Sequence, residues 1–125
     1  MDFCHFPVKI VKRSKGRSAV EAAAYRSGTK LTNEWDGQTH DYTRKRGVVH
    51  TEIMLPPHAP PEFSDRATLW NSVEQIEKAK DSQLARDIEA ALPRELSREQ
   101  QLALIRSFVK DNFVDKGMCA DFALH

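Results

Sequence analysis

Tyr25 lies in the stretch AAAYRSG (residues 22–28), at the end of an alanine-rich segment and directly before Arg26. A tyrosine hydroxyl has an ordinary pKa of about 10, so it is a poor nucleophile at neutral pH unless cations or a metal ion assist it. Arg26 and the basic run KRSKGR (residues 12–17) could supply that positive charge. A tyrosine at a helix end also commonly packs or forms a hydrogen bond. The local sequence therefore leaves two roles open, nucleophile and packing residue.

Basic residues concentrate in the first part of the chain, where residues 1–50 hold ten Lys/Arg against five Asp/Glu. Compact basic loops are typical of surfaces that bind phosphate backbones, although a solvated surface has the same composition. The candidate phosphate contacts are Arg13, Lys15, Arg17, Arg26, Arg44, Lys45 and Arg46. Tyr42, within HDYTRKRG, could stack on a base or pack within a hairpin.

The other reactive side chains give weaker signals. His50 and Glu52 are two apart, so they share one face of a predicted strand, where a structural role is the simpler interpretation. His40 and His58 lie in polar or proline-rich segments and are expected to be solvent-exposed. The sequence contains no Walker motif, HExxH helix or GxSxG elbow, which excludes several common enzyme classes.

These side chains must be positioned by a mixture of helices and strands. Ser18 and Glu21 form a capping-box signal and Gly28 a C-terminal stop, which together predict a helix with Tyr25 in its last turn. Hydrophobic periodicity predicts strands over residues 3–11, 47–57 and 118–125 and helices over residues 65–80 and from 97. A turn signal at Asp36-Gly37, between two polar arms, predicts a small hairpin or ordered loop over residues 31–43. Residues 82–93 (SQLARDIEAALP) suit either a helix or a strand. This order predicts an α+β fold with helices against a mostly antiparallel sheet.

Composition indicates one domain with an ordinary core, since 40% of the 125 residues are hydrophobic and 30% are charged. No apolar run reaches the length of a membrane span and the N-terminus lacks the pattern of a secretory signal, so we expect an intracellular protein. Cys4 and Cys119 are far apart and neither belongs to a CxxC pair, which favours reduced thiols.

Three long stretches closely resemble the N-terminal relaxase domain of the MobA/MobL family, the DNA-nicking mobilisation proteins of conjugative elements. They are HFPVKIVKRSKGRSAVEAAAYRSG, HDYTRKRGVVHTEIMLPPHAP and LARDIEAALPRELSREQQLALIRSFVKDNFVDKGMCADFALH. The resemblance extends over essentially residues 1–125. It implies the fold of the HUH endonucleases, a five-stranded antiparallel sheet flanked by helices, with residues 85–92 as one of its strands.

The resemblance also implies a reaction. Tyr25 matches the family's nucleophile, which attacks one phosphodiester at an origin of transfer, forms a 5′-phosphotyrosyl link and frees a 3′-hydroxyl. A divalent ion, Mg²⁺ or Mn²⁺, held by three histidines would polarise the scissile phosphate. His125 matches the first of those histidines, and Glu89 is a candidate to orient it through the other ring nitrogen, unless Glu89 simply faces solvent.

The sequence departs from the family pattern at its end, because the other two histidines would follow His125. We therefore expect residues 1–125 to be the N-terminal part of the relaxase domain, without its last strands and helix, to lack a complete metal site and to be inactive alone.

The expected partner is single-stranded or hairpin DNA at an origin of transfer in the bacterial cytoplasm, with accessory mobilisation proteins and a coupling protein as further partners and no membrane. The alternative is a non-catalytic module that binds single-stranded DNA, or a domain like those of replication initiators.

Overall fold

The structure is a computed structural model that describes residues 8–12, 18–76, 83–89 and 92–125. Predictions for residues 1–7, 13–17, 77–82 and 90–91 lie outside this part of the chain. Within it, nine α-helices and β-strands follow one another in the order β1 (Val8–Lys12), α1 (Ala19–Ser27), β2 (Lys30–Thr32), β3 (Thr39–Asp41), β4 (His50–Met54), α2 (Arg66–Ile76), β5 (Gln83–Ile88), α3 (Arg98–Asn112) and β6 (Ala120–Leu124). The α+β class predicted from the sequence is confirmed.

The described strands pair two by two, always antiparallel. The pairs are β1 with β5, β2 with β3, and β4 with β6. The ambiguous segment thus contains a strand, as the resemblance implies, which ends at Ile88. The resemblance implies a single five-stranded sheet. Among the described residues, the strands instead form three separate two-stranded sheets.

Helix α1 begins and ends as its sequence predicts. The Ser18 hydroxyl accepts a hydrogen bond from the Glu21 N–H at 2.9 Å, and Gly28 adopts a left-handed conformation with φ of 68° at the C-terminal end. A β-carbon at Gly28 would also lie 3.3 Å from the Val48 side chain. The left-handed backbone therefore favours glycine here, and any larger residue would also have to displace the Val48 side chain slightly.

The small side chains of α1 allow close packing. Ala19, Val20, Ala23 and Ala24 are at most 1% exposed. The helix packs against α2, the β2–β3 hairpin and β6. Because alanine adds little bulk beyond the backbone, three different elements can approach this helix from several sides.

Helix α3 begins at a complete capping box. The Ser97 hydroxyl accepts from the Gln100 N–H, and the Gln100 side chain accepts from the Ser97 N–H. Gly117, with φ of 89°, lies between α3 and β6, where the sequence predicted the connection to end. No helix in the described ranges is long and apolar enough to cross a membrane.

Helix α2 is joined to its neighbours by polar side chains. Asn71 is 6% exposed, donates to the Thr32 carbonyl at 2.9 Å and accepts from the Glu34 N–H at 2.9 Å. Glu74 is 1% exposed and accepts from the Ala19 N–H at 2.7 Å. One face of α2 therefore holds both the β2–β3 hairpin and the first turn of α1.

The carboxylate of Asp121 on β6 joins two helices to this strand. Arg66 donates two hydrogen bonds to it, at 2.8 and 2.9 Å, and the Trp70 indole N–H donates another at 2.8 Å. A guanidinium nitrogen of Arg26 lies 3.9 Å away. Since the Asp121 side chain is 1% exposed, these donors replace the water that the charge loses on folding.

We predict that Asp121→Asn lowers the free energy of unfolding by on the order of 3 kcal/mol, because it removes a buried charge that faces two arginines. Urea denaturation measures the loss. Asp115→Asn is the matched control, because Asp115 forms an exposed ion pair with Lys110 and such pairs contribute little. Equal stability of the two variants would contradict this role for Asp121.

We further predict that Glu74→Ala costs roughly 2 to 3 kcal/mol, since it leaves the Ala19 N–H buried without its acceptor at a helix N-terminus that favours negative charge. Glu74→Gln should cost less, because the amide oxygen can still accept. Glu99→Ala, at an exposed position in the first turn of α3, is the control. A loss from Glu74→Ala no greater than that of the control would show that this contact does not stabilise the fold.

Candidate active site

Tyr25 is exposed at the last turn of α1. The residue is 57% exposed, the highest value for any Phe, Tyr or Trp in the described part of the chain. The Tyr42 ring contacts it edge-on, with ring centroids 5.3 Å apart and an angle of 89° between the planes. Tyr25 is therefore accessible from solvent while its ring packs against Tyr42. A nucleophile that attacks a macromolecular substrate needs such access.

The ammonium of Lys45 lies on the Tyr25 ring. Its Nζ atom is 3.8 Å from the ring centroid and donates a hydrogen bond of 2.8 Å to the Tyr25 backbone carbonyl. Burial, and to a lesser degree the charge of Arg26, lower the pKa of Lys45. Among the described residues, a cation in direct contact with the candidate nucleophile is thus Lys45, which the sequence predicts as a phosphate contact.

Arg26 follows Tyr25 but is directed into the structure. Besides its approach to Asp121, its guanidinium carbon lies 5.8 Å from the centroid of a Trp70 ring. Its side chain is 21% exposed. The residue therefore joins α1 to α2 and β6, and its contact with phosphate stays a prediction.

The remaining predicted phosphate contacts fall into two groups. Arg44 and Arg46 are exposed, on either side of Lys45. Arg13, Lys15 and Arg17 lie outside the described residues. The predicted phosphate contacts that the structure describes as exposed thus belong to the segment that follows β3, on either side of Lys45.

Glu21 of α1 contacts two side chains from the C-terminal end of the β2–β3 hairpin, those of Tyr42 and His40. Its Oε2 accepts from the Tyr42 hydroxyl at 3.2 Å and lies 3.4 Å from His40 Nδ1. Burial and the Glu21 carboxylate raise the pKa of Tyr42. With Ser18, Ala22 and Tyr25, Glu21 and Tyr42 line an open hollow of about 150 Å³.

Two sequence predictions need correction at this point. Glu21 does not complete a capping box, because its carboxylate is turned toward Tyr42 and His40. His40 was expected to be exposed, but its side chain is only 14% exposed, because the hairpin lays it against α1. His58, the other histidine expected in solvent, is exposed.

His50 and Glu52 are engaged with each other and with α3. Arg106 donates to both Glu52 oxygens, at distances from 2.8 to 3.1 Å, and His50 Nε2 lies 2.9 Å from Glu52 Oε1. The hydrogen bonds from Arg106, and secondarily from His50, lower the pKa of Glu52. This arrangement fastens α3 to β4, which agrees with the structural interpretation of the pair.

The residues implied in metal binding are exposed. His125 follows the end of β6 and Glu89 follows the end of β5. In the described part of the chain, no three His, Cys, Asp or Glu side chains lie close enough together to hold a metal ion. These residues by themselves do not fit a metal centre, and the roles of His125 and Glu89 stay predictions. Cys119 is a free thiol whose pKa is raised by burial.

Sequence reasoning missed the residues that position α1. Asp121, Glu74 and Lys45 each contact a partner 20 to 55 positions away. Only one local signal was present: Arg66 and Trp70 are four apart on α2, so both can reach one acceptor. The identity of that acceptor depends on the tertiary fold.

Comparison with known proteins agrees with this arrangement. The model of the MobA/MobL family matches residues 17–125. The conjugal transfer protein TraA of Rhizobium radiobacter is 46% identical over 135 aligned positions, which include 100% of this chain and 12% of that protein. The mobilization protein MobL of Acidithiobacillus ferridurans is 46% identical over 125 positions, which include 100% of this chain and 32% of MobL.

A solved structure described as the "Molecular Basis of Vancomycin Resistance Transfer in Staphylococcus aureus" has the same fold. It superimposes with a TM-score of 0.93 at 32% identity, over 99% of this chain and 63% of the other. The chain thus spans between about an eighth and a third of the two curated relatives named above. The family match extends from the residue before Ser18 to His125 and includes Tyr25 and its surroundings, so the chain belongs to the MobA/MobL family of conjugative mobilisation proteins.

Proposed function

We propose that the protein is a relaxase that nicks one DNA strand at an origin of transfer, with Tyr25 as the nucleophile. The observation that carries the proposal is the setting of Tyr25, an exposed aromatic hydroxyl at the end of a rigidly packed helix, with a cation on its ring. Membership of a mobilisation family supplies the substrate class. The reaction would take place in the cytoplasm of a bacterial donor cell.

The reaction is a transesterification. The Tyr25 oxygen forms a bond to phosphorus while the bond from phosphorus to the 3′ oxygen breaks. The phenolic proton leaves to solvent or a base, and the departing 3′ oxygen takes up a proton to become a hydroxyl. The products are a 5′-phosphotyrosyl DNA and a free 3′ end, and the phosphodiester bond energy is conserved in the new link.

Tyr42 is the alternative tyrosine, and its surroundings suit it less. It is the second of two tyrosines in the chain, and its hydroxyl donates to Glu21. A neighbouring carboxylate disfavours the phenolate that must attack, because the two negative charges repel. Tyr25, whose neighbour is an ammonium, has the more favourable electrostatic setting.

A divalent ion, Mg²⁺ or Mn²⁺, forms part of the proposal with His125 as one of its ligands and Glu89 as the residue that orients it. When bound, such an ion would stabilise charge on the scissile phosphate. Since the described residues do not complete its coordination, we assign it no step, and we propose that residues 1–125 alone do not nick DNA.

DNA binding is proposed to depend on cations from two segments of the chain. Arg44 and Arg46, which are exposed, follow β3. Residues 13, 15 and 17 precede α1 in the sequence. Accessory mobilisation proteins and a coupling protein are proposed partners of the same complex. Binding that depends on phosphate contacts must weaken steeply as salt rises.

We predict that Tyr25→Phe abolishes the covalent adduct while leaving DNA binding nearly intact, because only the nucleophilic oxygen is removed. The test uses the full-length protein, Mg²⁺ or Mn²⁺, and fluorescent single-stranded oligonucleotides that tile the non-coding DNA beside its gene. Denaturing gels detect the adduct and fluorescence anisotropy measures binding.

Tyr42→Phe is the matched control, because it deletes the same atom from the neighbouring ring and should still give the adduct. An adduct that survives Tyr25→Phe would identify another nucleophile. Salt-sensitive binding without an adduct from any variant, including the unmodified protein, would favour the non-catalytic DNA-binding module.

A further inference from the structure

Lys45 contacts Tyr25 at two separate points. The same Nζ atom lies over the face of the ring and donates to the backbone carbonyl of Tyr25. An ammonium over an aromatic face is attracted by the negative potential of the ring. The two contacts together relate the side chain of Tyr25 to its own backbone, which limits rotation of the ring about its side-chain bonds.

The backbone that carries Lys45 is itself held in place. Asp41 accepts from both the N–H and the hydroxyl of Thr43, which closes a turn after β3. The Lys45 N–H donates to the Tyr42 carbonyl at 2.9 Å, and the Tyr42 N–H donates to Thr29 at 3.0 Å. The Lys45 side chain therefore extends from an ordered turn that is hydrogen-bonded to Thr29, just after the end of α1.

The turn lies beside Gly28 at the end of α1. The Lys45 β-carbon and the Tyr42 carbonyl oxygen would each lie 3.8 Å from a β-carbon at position 28, which is an ordinary van der Waals distance. The segment with Lys45 therefore packs beside the last turn of the helix. Tyr25 lies in that last turn.

Tyr42 also contacts the Tyr25 ring. The two rings form a T-shaped pair, and the Tyr42 hydroxyl donates to Glu21, one turn before Tyr25 on α1, which fixes the orientation of Tyr42. The Tyr25 ring therefore contacts a second aromatic ring and has an ammonium over one face, while the residue as a whole is 57% exposed.

We propose that Lys45 is a positioning residue for Tyr25, which orients the phenol for attack, and that it is not a phosphate contact. This inference rests on the proposed function. An exposed tyrosine without such contacts samples several rotamers, and attack on phosphorus requires one of them. Displacement of a reacting group by about 1 Å can reduce a rate by roughly 100-fold.

The sharpest test separates orientation from phosphate binding. Lys45→Met removes the charge and keeps a flexible, apolar chain of similar length. In the full-length protein, we expect it to slow single-turnover adduct formation by about 10- to 100-fold at saturating DNA. The probe is the oligonucleotide that the unmodified protein nicks. Affinity should change by less than about 2-fold and the slope of log affinity against log salt should stay the same.

Three further variants make the result interpretable. Lys45→Arg should recover much of the rate, because a guanidinium also stacks on a ring and donates to a carbonyl. Arg44→Met should instead weaken binding and reduce the salt slope by about one, as expected for a phosphate contact. Lys116→Met, which removes an exposed lysine in the connection between α3 and β6, controls for loss of charge alone.

A Lys45→Met protein that behaves like Arg44→Met, with weaker binding, a smaller salt slope and an unchanged rate at saturation, would overturn the proposal. A second readout needs no activity. With 3-fluorotyrosine incorporated at position 25, the ¹⁹F resonance should shift toward that of the free amino acid in Lys45→Met and stay near its original position in Lys116→Met.

If the unmodified protein forms no adduct, the proposed function fails, and the ¹⁹F experiment still decides whether Lys45 orients the ring. An unchanged ¹⁹F resonance in Lys45→Met would reject the inference in either case.

Discussion

The buried carboxylate of Asp121 is the constraint on which the arrangement of the site depends. It accepts hydrogen bonds from Arg66 and Trp70 of α2, and the guanidinium of Arg26 on α1 lies at a longer distance from the same carboxylate. Arg26 is adjacent to Tyr25, and Asp121 is four residues before His125. One charged group therefore couples the helix that carries the candidate nucleophile to the strand that leads to the candidate metal ligand. A hydrophobic contact could hold these elements together, but directional hydrogen bonds also fix their orientation.

Polar contacts of this kind are a consequence of how α1 is built. Its alanines allow close approach but offer little apolar surface, so burial alone specifies its rotation about its own axis only weakly. Glu74 accepts from its first turn, and Asp121 receives Arg26 from its last turn. The two contacts act at opposite ends of a nine-residue helix. Together they define which residues of α1 face the protein and which, like Tyr25, face solvent.

The elements that could be predicted from the sequence are those whose signals are local. The Ser18 and Ser97 caps, the left-handed Gly28 and the turn at residues 36–37 each depend on residues only a few positions apart. The composition of β5 favours a helix as much as a strand, so only the family resemblance predicts a strand there. Its pairing with β1 agrees with the resemblance. Glu21 shows the limit of local rules. It satisfies the capping-box pattern, yet its carboxylate contacts Tyr42 and His40, which the hairpin brings to it. The same holds for Asp121, Glu74 and Lys45, whose partners are set by the tertiary fold.

The cations around Tyr25 are therefore not equivalent, although the sequence presents them as one basic group. Arg26 is drawn toward Asp121, and Lys45 lies on the ring and carbonyl of Tyr25, whereas Arg44 and Arg46 are exposed. A cation that already contacts a protein group attracts phosphate less strongly, because a nearby negative charge partly neutralises it or because its side chain is held in another direction. On this basis the residues proposed to orient the candidate nucleophile differ from those proposed to bind the DNA backbone. Under the proposed function, DNA affinity would change at exposed cations such as Arg44 and Arg46 without a change in the orientation of Tyr25, because the contacts of α1 with Asp121, Glu74 and Lys45 hold that orientation.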